Sequence, residues 1–275
     1  MNEEKKELTI RLAKEAGFSD VRAAACEGGT LFFLFTPYRP APRAEYGKIN
    51  LSNYYIASQN GYRAMKKMIA RLDEAGIRAA EFRKHGVKRL ALETGGFQGL
   101  NTLYYHEQYG SFTAIHALET DFLCAPDRPS KQTACLRCGN CVSACPADAI
   151  TASGFCRERC VRNYMCERQI PAEYGQFIYQ LLGCERCQSA CPYNETETGE
   201  AFSYDIIEVI GGKHTKEIAG LVGPNYGRRR IIVGQAVIYA ANMLYTPALP
   251  AIEALREDEF VGEAARYAAE ILKKS

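Results

Sequence analysis

Seven of the twelve cysteines in this 275-residue chain fall into two runs. The first reads Cys135-x-x-Cys138-x-x-Cys141-x-x-x-Cys145-Pro146, and the second reads Cys184-x-x-Cys187-x-x-x-Cys191-Pro192. Spacings of three, three and four closed by proline wrap a [4Fe–4S] cluster, and where two clusters are present the fourth cysteine ligates the other one. One short loop supplies three thiolates to three irons, and the fourth must come from a distant segment. The proline removes an N–H and turns the chain away. Crossing the runs gives Cys135, Cys138, Cys141 and Cys191 on one cluster, and Cys145, Cys184 and Cys187 on the other with one place open. Cys156, Cys160 and Cys166 are nearby candidates for that place, and spacing alone does not choose among them. Zinc also takes Cys-x-x-Cys pairs in fours, but a three-three-four run ending in proline is a cubane spacing rather than a zinc-ribbon spacing. Disulfides are the weaker reading, because no secretory leader precedes the cysteines and Met1 opens onto a charged run.

The rest of the chain must position these thiolates. A length of 275 residues allows one large domain with smaller ones. Apolar content of 47% and charged content of 24% are ordinary for a globular protein. A net charge of +2 confines any nucleic-acid surface to a local patch. No apolar run approaches the ~20 residues of a membrane span, so no membrane association is expected. Many cysteines without an export signal point to a reducing compartment, and the expected location is cytoplasmic.

In chain order, residues 3–16 are expected as an amphipathic helix with Leu8, Ile10 and Leu12 inward, stopped by Gly17. Thr30 to Thr36 is a continuously apolar run ended by Pro37, which predicts a strand buried on both faces. Apolar spacing from Asn53 to Glu74 predicts a helix stopped at Ala75-Gly76, with a strand from Ile77 to Phe82 after it. This alternation predicts an α/β domain. Gly95-Gly96-Phe97-Gln98-Gly99-Leu100-Asn101-Thr102 lets backbone approach a flat or anionic ligand closely, but it lacks the Rossmann spacing, and a plain turn is the competing reading. A strand from Ser111 to Leu118 follows, then a linker from Pro126 to Lys131. Residues 133–194 should be loop-dominated around short helices. Arg228 to Leu244 and Ala251 to Lys274 carry helical patterns, like the beginning of an α-solenoid.

Together several stretches resemble epoxyqueuosine reductase, the iron–sulfur and corrinoid enzyme family of queuosine tRNA modification, itself similar to the reductive dehalogenases. Gly183-Cys184-Glu185-Arg186-Cys187-Gln188-x-x-Cys191-Pro192-Tyr193-Asn194 is similar to its second cluster run. Arg159-Cys160-Val161 resembles the element between the runs, and this resemblance selects Cys160 as the eighth ligand. Leu34-Phe35-Thr36-Pro37-Tyr38 resembles its apolar strand, Gly96-x-x-Gly99-x-Asn101-Thr102-Leu103 its glycine loop, and Tyr109-Gly110-Ser111-Phe112 the strand that follows. The C-terminal helices look like a shortened HEAT-like tail.

The resemblance implies an α+β fold in three parts. These are a nitroreductase-like α/β domain over residues 1–128 that binds a corrinoid, a bacterial two-[4Fe–4S] ferredoxin module over 129–200, and a short HEAT-like helical tail over 201–275. It implies two [4Fe–4S] clusters delivering electrons to cobalamin, with Gly96, Gly99, Asn101 and Thr102 against the corrin. The implied partners are a reduced ferredoxin- or flavodoxin-type donor and tRNA. Two departures stand out. Where the family has a proton-donating aspartate this chain reads Ala80-Glu81-Phe82-Arg83, and the lysine of the glycine loop is Leu100. No catalytic residue is therefore assigned. His85-Gly86 is expected as a surface or helix-start pair, and His106 and His116 as histidines hydrogen-bonded in place. Cys26 and Cys124 are expected as small buried residues, and Arg228 to Arg230 as a solvated face rather than a phosphate contact. Two rival functions are an electron carrier that binds no corrin, and a tRNA-binding protein without catalysis.

Overall fold

The structure, a computed structural model, describes residues 2–84, 86–128, 133–167, 169–194 and 197–275. His85 and residues 129–131 of the expected linker lie outside them. The chain divides into two compact units. The first comprises Met1–Tyr38, Ala57–Cys138 and Pro192–Glu195, and the second Arg39–Ile56, Gly139–Cys191 and Thr196–Ser275.

The first unit is built on a four-stranded antiparallel sheet in the order Asp20–Cys26, Gly29–Pro37, Thr113–Thr120, Ala79–Glu81. Gly29–Pro37 is central, and Phe32 to Phe35 are fully buried. Alternation along the strand divides them. Phe32 and Leu34 pack with Leu12, Met65, Met68 and Leu72 of the helices Asn2–Glu15 and Asn53–Glu74, while Leu31, Phe33 and Phe35 pack with Ala91, Tyr104 and Ala117 on the other face. A strand covered on both sides has no polar face, which is why its sequence is an unbroken apolar run. Gly17 (φ 97) and Gly76 (φ 73) end the two helices in the left-handed conformation expected of them.

Asp20–Cys26 is a strand that the sequence analysis does not place. Asp-Val-Arg-Ala-Ala-Ala-Cys is alanine-rich and favours helix locally. Its seven residues pair with Gly29–Phe35 through the tight Glu27-Gly28 turn, and Gly28 adopts φ 80 there. Sheet pairing overrides the local preference.

The second unit is organised around the helix Arg229–Asn242, whose residues 231–241 are almost all buried. Helices Ile206–Ile210, Leu249–Glu253 and Gly262–Lys274 pack about it. The expected helical pattern from Ala251 to Lys274 is therefore interrupted, and Asp258 Oδ1 accepts from Phe260 N–H (2.9 Å) and Val261 N–H (3.1 Å) at the break. Among the described residues the cluster segment forms the short helices Asn140–Ser143, Val161–Tyr164, Ala172–Gly175 and Arg186–Ser189 and a small hairpin of Ile150–Thr151 with Gly154–Phe155. Among the described residues no helix is long and apolar enough to cross a membrane.

Candidate functional site

A buried glutamine and a half-buried asparagine of the central helix fix the loops around the cysteines of the second unit. Gln235 is 1% exposed. Its Oε1 accepts from Leu182 N–H (2.7 Å), just before Cys184, and its Nε2 donates to Met165 C=O (2.6 Å), just before Cys166. Asn242 Nδ2 donates to the carbonyls of Gly175 and Ile178, both at 2.9 Å. A loop region with little core of its own thus borrows its geometry from helix side chains.

On that frame, Cys141 and Cys187 ride on the helices Asn140–Ser143 and Arg186–Ser189, which pack on one another. Cys184 is half-buried, and its thiol is pushed up to about 11. Burial is the main cause; the Arg186 N–H and guanidinium oppose it, and the neighbouring charges of Cys160 and Cys145 add to it. Cys145 and Cys160 thus lie within electrostatic range of Cys184. Cys145 Sγ also accepts from Ala149 N–H (3.2 Å), and Cys135 Sγ from Arg137 N–H (3.4 Å). Such N–H···S bonds are among the devices that stabilise cluster thiolates. Cys156 Sγ instead donates to Glu158 (3.4 Å). Cys166 packs against the core of the second unit, beside Arg162 and Tyr55, and burial raises its pKa. No disulfide joins any of the twelve cysteines.

This donor set fits an iron–sulfur cluster. Thiols within electrostatic range of Cys184, a further cysteine (Cys187) three residues along, and backbone N–H donors are what a cubane needs. Among the described residues no three Cys, His, Asp or Glu side chains converge on a point as the ligands of one metal ion do. In a cubane each thiolate takes its own iron, so the sulfurs surround a body rather than a point.

The glycine loop is a hairpin. Phe97–Gln98 pairs with Tyr104–Tyr105. A Cβ on Gly96 (φ 75) would stand 2.4 Å from Tyr105 O, and one on Gly99 would stand 2.5 Å from the Tyr105 ring. Asn101, 4% exposed, donates through Nδ2 to Tyr105 Oη (2.9 Å) and accepts from Leu103 N–H (3.3 Å) through Oδ1. Thr102 takes φ 62 at the turn. These contacts account for both glycines and for the asparagine within the loop itself. Gly96 and Thr102 remain partly exposed. The end of the second cysteine run joins this hairpin. Tyr193 lies 4.7 Å from the Phe97 ring, and Asn194 exchanges bonds with Ser111, accepting from its N–H (2.7 Å) and donating to its Oγ (2.9 Å).

Beneath the hairpin lies a network that the sequence reading missed. Arg22 binds Asp20 Oδ2 (2.7 Å) and Glu107 Oε2 (2.7 Å). His106 Nδ1 accepts from Gln108 N–H (3.1 Å), and its Nε2 lies 2.8 Å from both Asp20 Oδ2 and Arg22 Nη2. Glu107 Oε1 accepts from Gly96 N–H (2.6 Å), tying the loop to the sheet. His106 is thus held in place, as expected of it, but by partners more than eighty residues away. Asp20 and Arg22, two apart on a strand, reach one face; the alanine-rich segment hid that signal. Burial opposes the charge of Asp20, but the His106 and Arg22 hydrogen bonds outweigh it and hold the carboxyl at about 2. Glu107 is lowered in the same way by Arg22 and backbone N–H donors. Depressed carboxylates stabilise the fold above their unfolded pKa, and the contribution is lost as pH falls through the folded value. Asp20→Asn should therefore lower the urea midpoint of the apoprotein near neutral pH, and the difference from the parent should shrink as pH approaches about 2.

His116 is also in place, held neutral by burial. It faces Gly61, where a Cβ would stand 2.6 Å from its ring. Glu81 is committed to Arg83 (3.2 Å) and Lys66 (3.6 Å). Arg229 pairs with Asp258 (2.9 Å), while Arg230 and Arg228 donate to Glu167 O (3.1 Å) and Asn225 Oδ1 (3.2 Å). Cys26 and Cys124 are half-buried.

Comparison with known proteins agrees with this arrangement. Residues 134–194 match the 4Fe–4S double cluster binding domain family. Epoxyqueuosine reductase of Listeria monocytogenes is 30% identical over 102 residues, covering 36% of this chain and 27% of that protein. That of Bacillus subtilis is 26% identical over 176 residues, covering 58% and 45%. The matched segments thus span less than half of these curated relatives. A solved structure of the Bacillus subtilis enzyme superposes with TM-score 0.82 over 99% of this chain and 91% of that one, at 18% identity. An epoxyqueuosine reductase solved with an epoxyqueuosine-modified tRNA-Tyr stem loop gives 0.80 at 17% identity, with the same coverage.

The chain is a double-[4Fe–4S]-cluster protein with an α+β fold. That fold is the one seen in the epoxyqueuosine reductases, and the resemblance of its stretches to that family is borne out.

Proposed function

We propose that the protein is an iron–sulfur oxidoreductase that passes single electrons from two [4Fe–4S] clusters to a corrinoid in the first unit, for reduction of epoxyqueuosine in tRNA. The observation that carries this reading is the match of residues 134–194 to the double cluster family on a fold shared with the epoxyqueuosine reductases, and the crossed pattern puts Cys145, Cys160 and Cys184 on one cluster. Cys187 completes that cluster, and Cys135, Cys138, Cys141 and Cys191 hold the other in the crossed pattern.

Deoxygenating an epoxide to an alkene takes two electrons and two protons and releases water, so a source that delivers electrons singly must act twice. A reduced ferredoxin- or flavodoxin-type donor fits that need. A bound corrinoid supplies a strongly reducing cobalt centre, and the protein supplies binding, orientation and electrostatics. Gly96 and Thr102 are the partly exposed loop residues left to face it, while Gly99 and Asn101 shape the loop from within. Where the family has its proton donor the nearest carboxylate of this chain is Glu81, which is engaged by two cations.

That last observation favours a second reading, a two-cluster electron carrier that binds no corrin. Anaerobic reconstitution with cobalamin separates the two. About eight irons with one retained cobalt supports the reductase and warrants an assay on epoxyqueuosine tRNA. About eight irons without cobalt supports the carrier, and zinc in place of iron sinks both.

A further inference from the structure

The second unit holds a cavity of about 390 Å³. Arg43, Arg186, Tyr179, Tyr239 and Asn50 line it, and none of its lining residues is acidic. Arg43 acts electrostatically on Tyr239, whose phenol burial keeps protonated. Arg186 lies over the Tyr179 ring at 5.0 Å. Tyr179 Oη accepts from Glu185 N–H (2.8 Å), which leaves its own proton to donate. Asn50 is 2% exposed. Its Nδ2 donates to Pro42 O (2.8 Å), and its Oδ1 has no hydrogen-bond partner in the protein.

Two guanidinium forks and two phenol donors around one space, with no acid to balance them, are suited to a group with several anionic oxygens. The volume exceeds that of a bare tetrahedral anion, so the group is carried on a larger molecule. Arg186 also lies between Cys184 and Cys187. Its N–H bonds the Cys184 sulfur, and the helix it opens, Arg186–Ser189, carries Cys187.

We propose that this cavity binds a phosphate group, and that its occupancy shifts the potential of the cluster on Cys145, Cys160, Cys184 and Cys187. The inference rests on the two-cluster reading. A cation beside a cluster favours its reduced, more negative state, and an anion seated on Arg186 cancels that field. Phosphate binding therefore lowers the potential, and by reciprocity cluster reduction weakens phosphate binding by the same factor.

The test uses reconstituted holoprotein with its iron counted first, so that failure of the two-cluster reading shows before any phosphate is added. EPR-monitored redox titration with and without inorganic phosphate should show one cluster becoming harder to reduce by about tenfold, ~59 mV for a one-electron couple, and the other unmoved. Arg186→Gln should lower the potential of that cluster without phosphate and abolish the phosphate response. Arg43→Gln should weaken phosphate binding while leaving the phosphate-free potential in place. A tRNA anticodon stem loop that displaces phosphate identifies the group as RNA backbone; simultaneous binding identifies a small phosphate ester. A protein with both clusters whose potentials ignore phosphate, or an Arg186→Gln variant that still responds, overturns the proposal.

Discussion

Replacing Cys160 with alanine is expected to halve the iron of the reconstituted protein, from about eight to about four per chain, with loss of one cluster's EPR signal. Cys156→Ala and Cys166→Ala should keep both clusters. The three cysteines lie within eleven residues of one another and look alike in the sequence, but their surroundings differ. Cys160 and Cys145 act on Cys184 as neighbouring charges. Cys156 faces Glu158, and Cys166 lies against the core beside Tyr55 and Arg162. Iron must displace the proton of Cys184, and its positive charge offsets the burial that holds that proton in place. Removing one thiolate of four leaves an iron without its protein ligand, and a cubane so exposed is readily lost. If Cys166→Ala rather than Cys160→Ala loses the iron, the assignment fails.

Gln235→Leu carries the second large effect. The substitution conserves size, yet it orphans two buried backbone groups, Leu182 N–H and Met165 C=O, that the amide now satisfies. Each such loss costs about 1–3 kcal/mol, so a destabilisation of about 2–5 kcal/mol is expected, read as a lower urea midpoint at unchanged slope. Because both groups precede cysteines, iron loss to a chelator should also quicken. Ile238→Val, a neighbouring core change that leaves the hydrogen bonds intact, should cost about 1 kcal/mol and leave chelation unaltered. Equal chelation rates in parent and Gln235→Leu would show that the amide supports the core alone.

Several parts of the molecule were legible from local pattern. Cysteine spacing names its cofactor because a cubane constrains a short loop directly. The strand Gly29–Pro37 and the helices Asn53–Glu74 and Arg229–Asn242 are strongly apolar or strongly periodic, and they stand where that pattern puts them. The glycine loop was legible as a tight backbone, but its sequence does not say what the backbone approaches. In the folded chain that is Tyr104 and Tyr105.

Other features depend on residues far apart in sequence. Asp20–Cys26 became a strand only because Gly29–Pro37 offered it a partner. The Asp20–Arg22–His106–Glu107 network joins segments more than eighty residues apart. Tyr193 and Asn194 end a cysteine run, yet they pack on Phe97 and Ser111. Spacing left the eighth thiolate open, and what surrounds each cysteine is fixed by chain folding. The sequence by itself determined which groups carry the chemistry, because metal spacing and apolar periodicity are local. Tertiary structure decided which groups meet, because hydrogen bonds and charges act through space and leave no periodic trace along the chain.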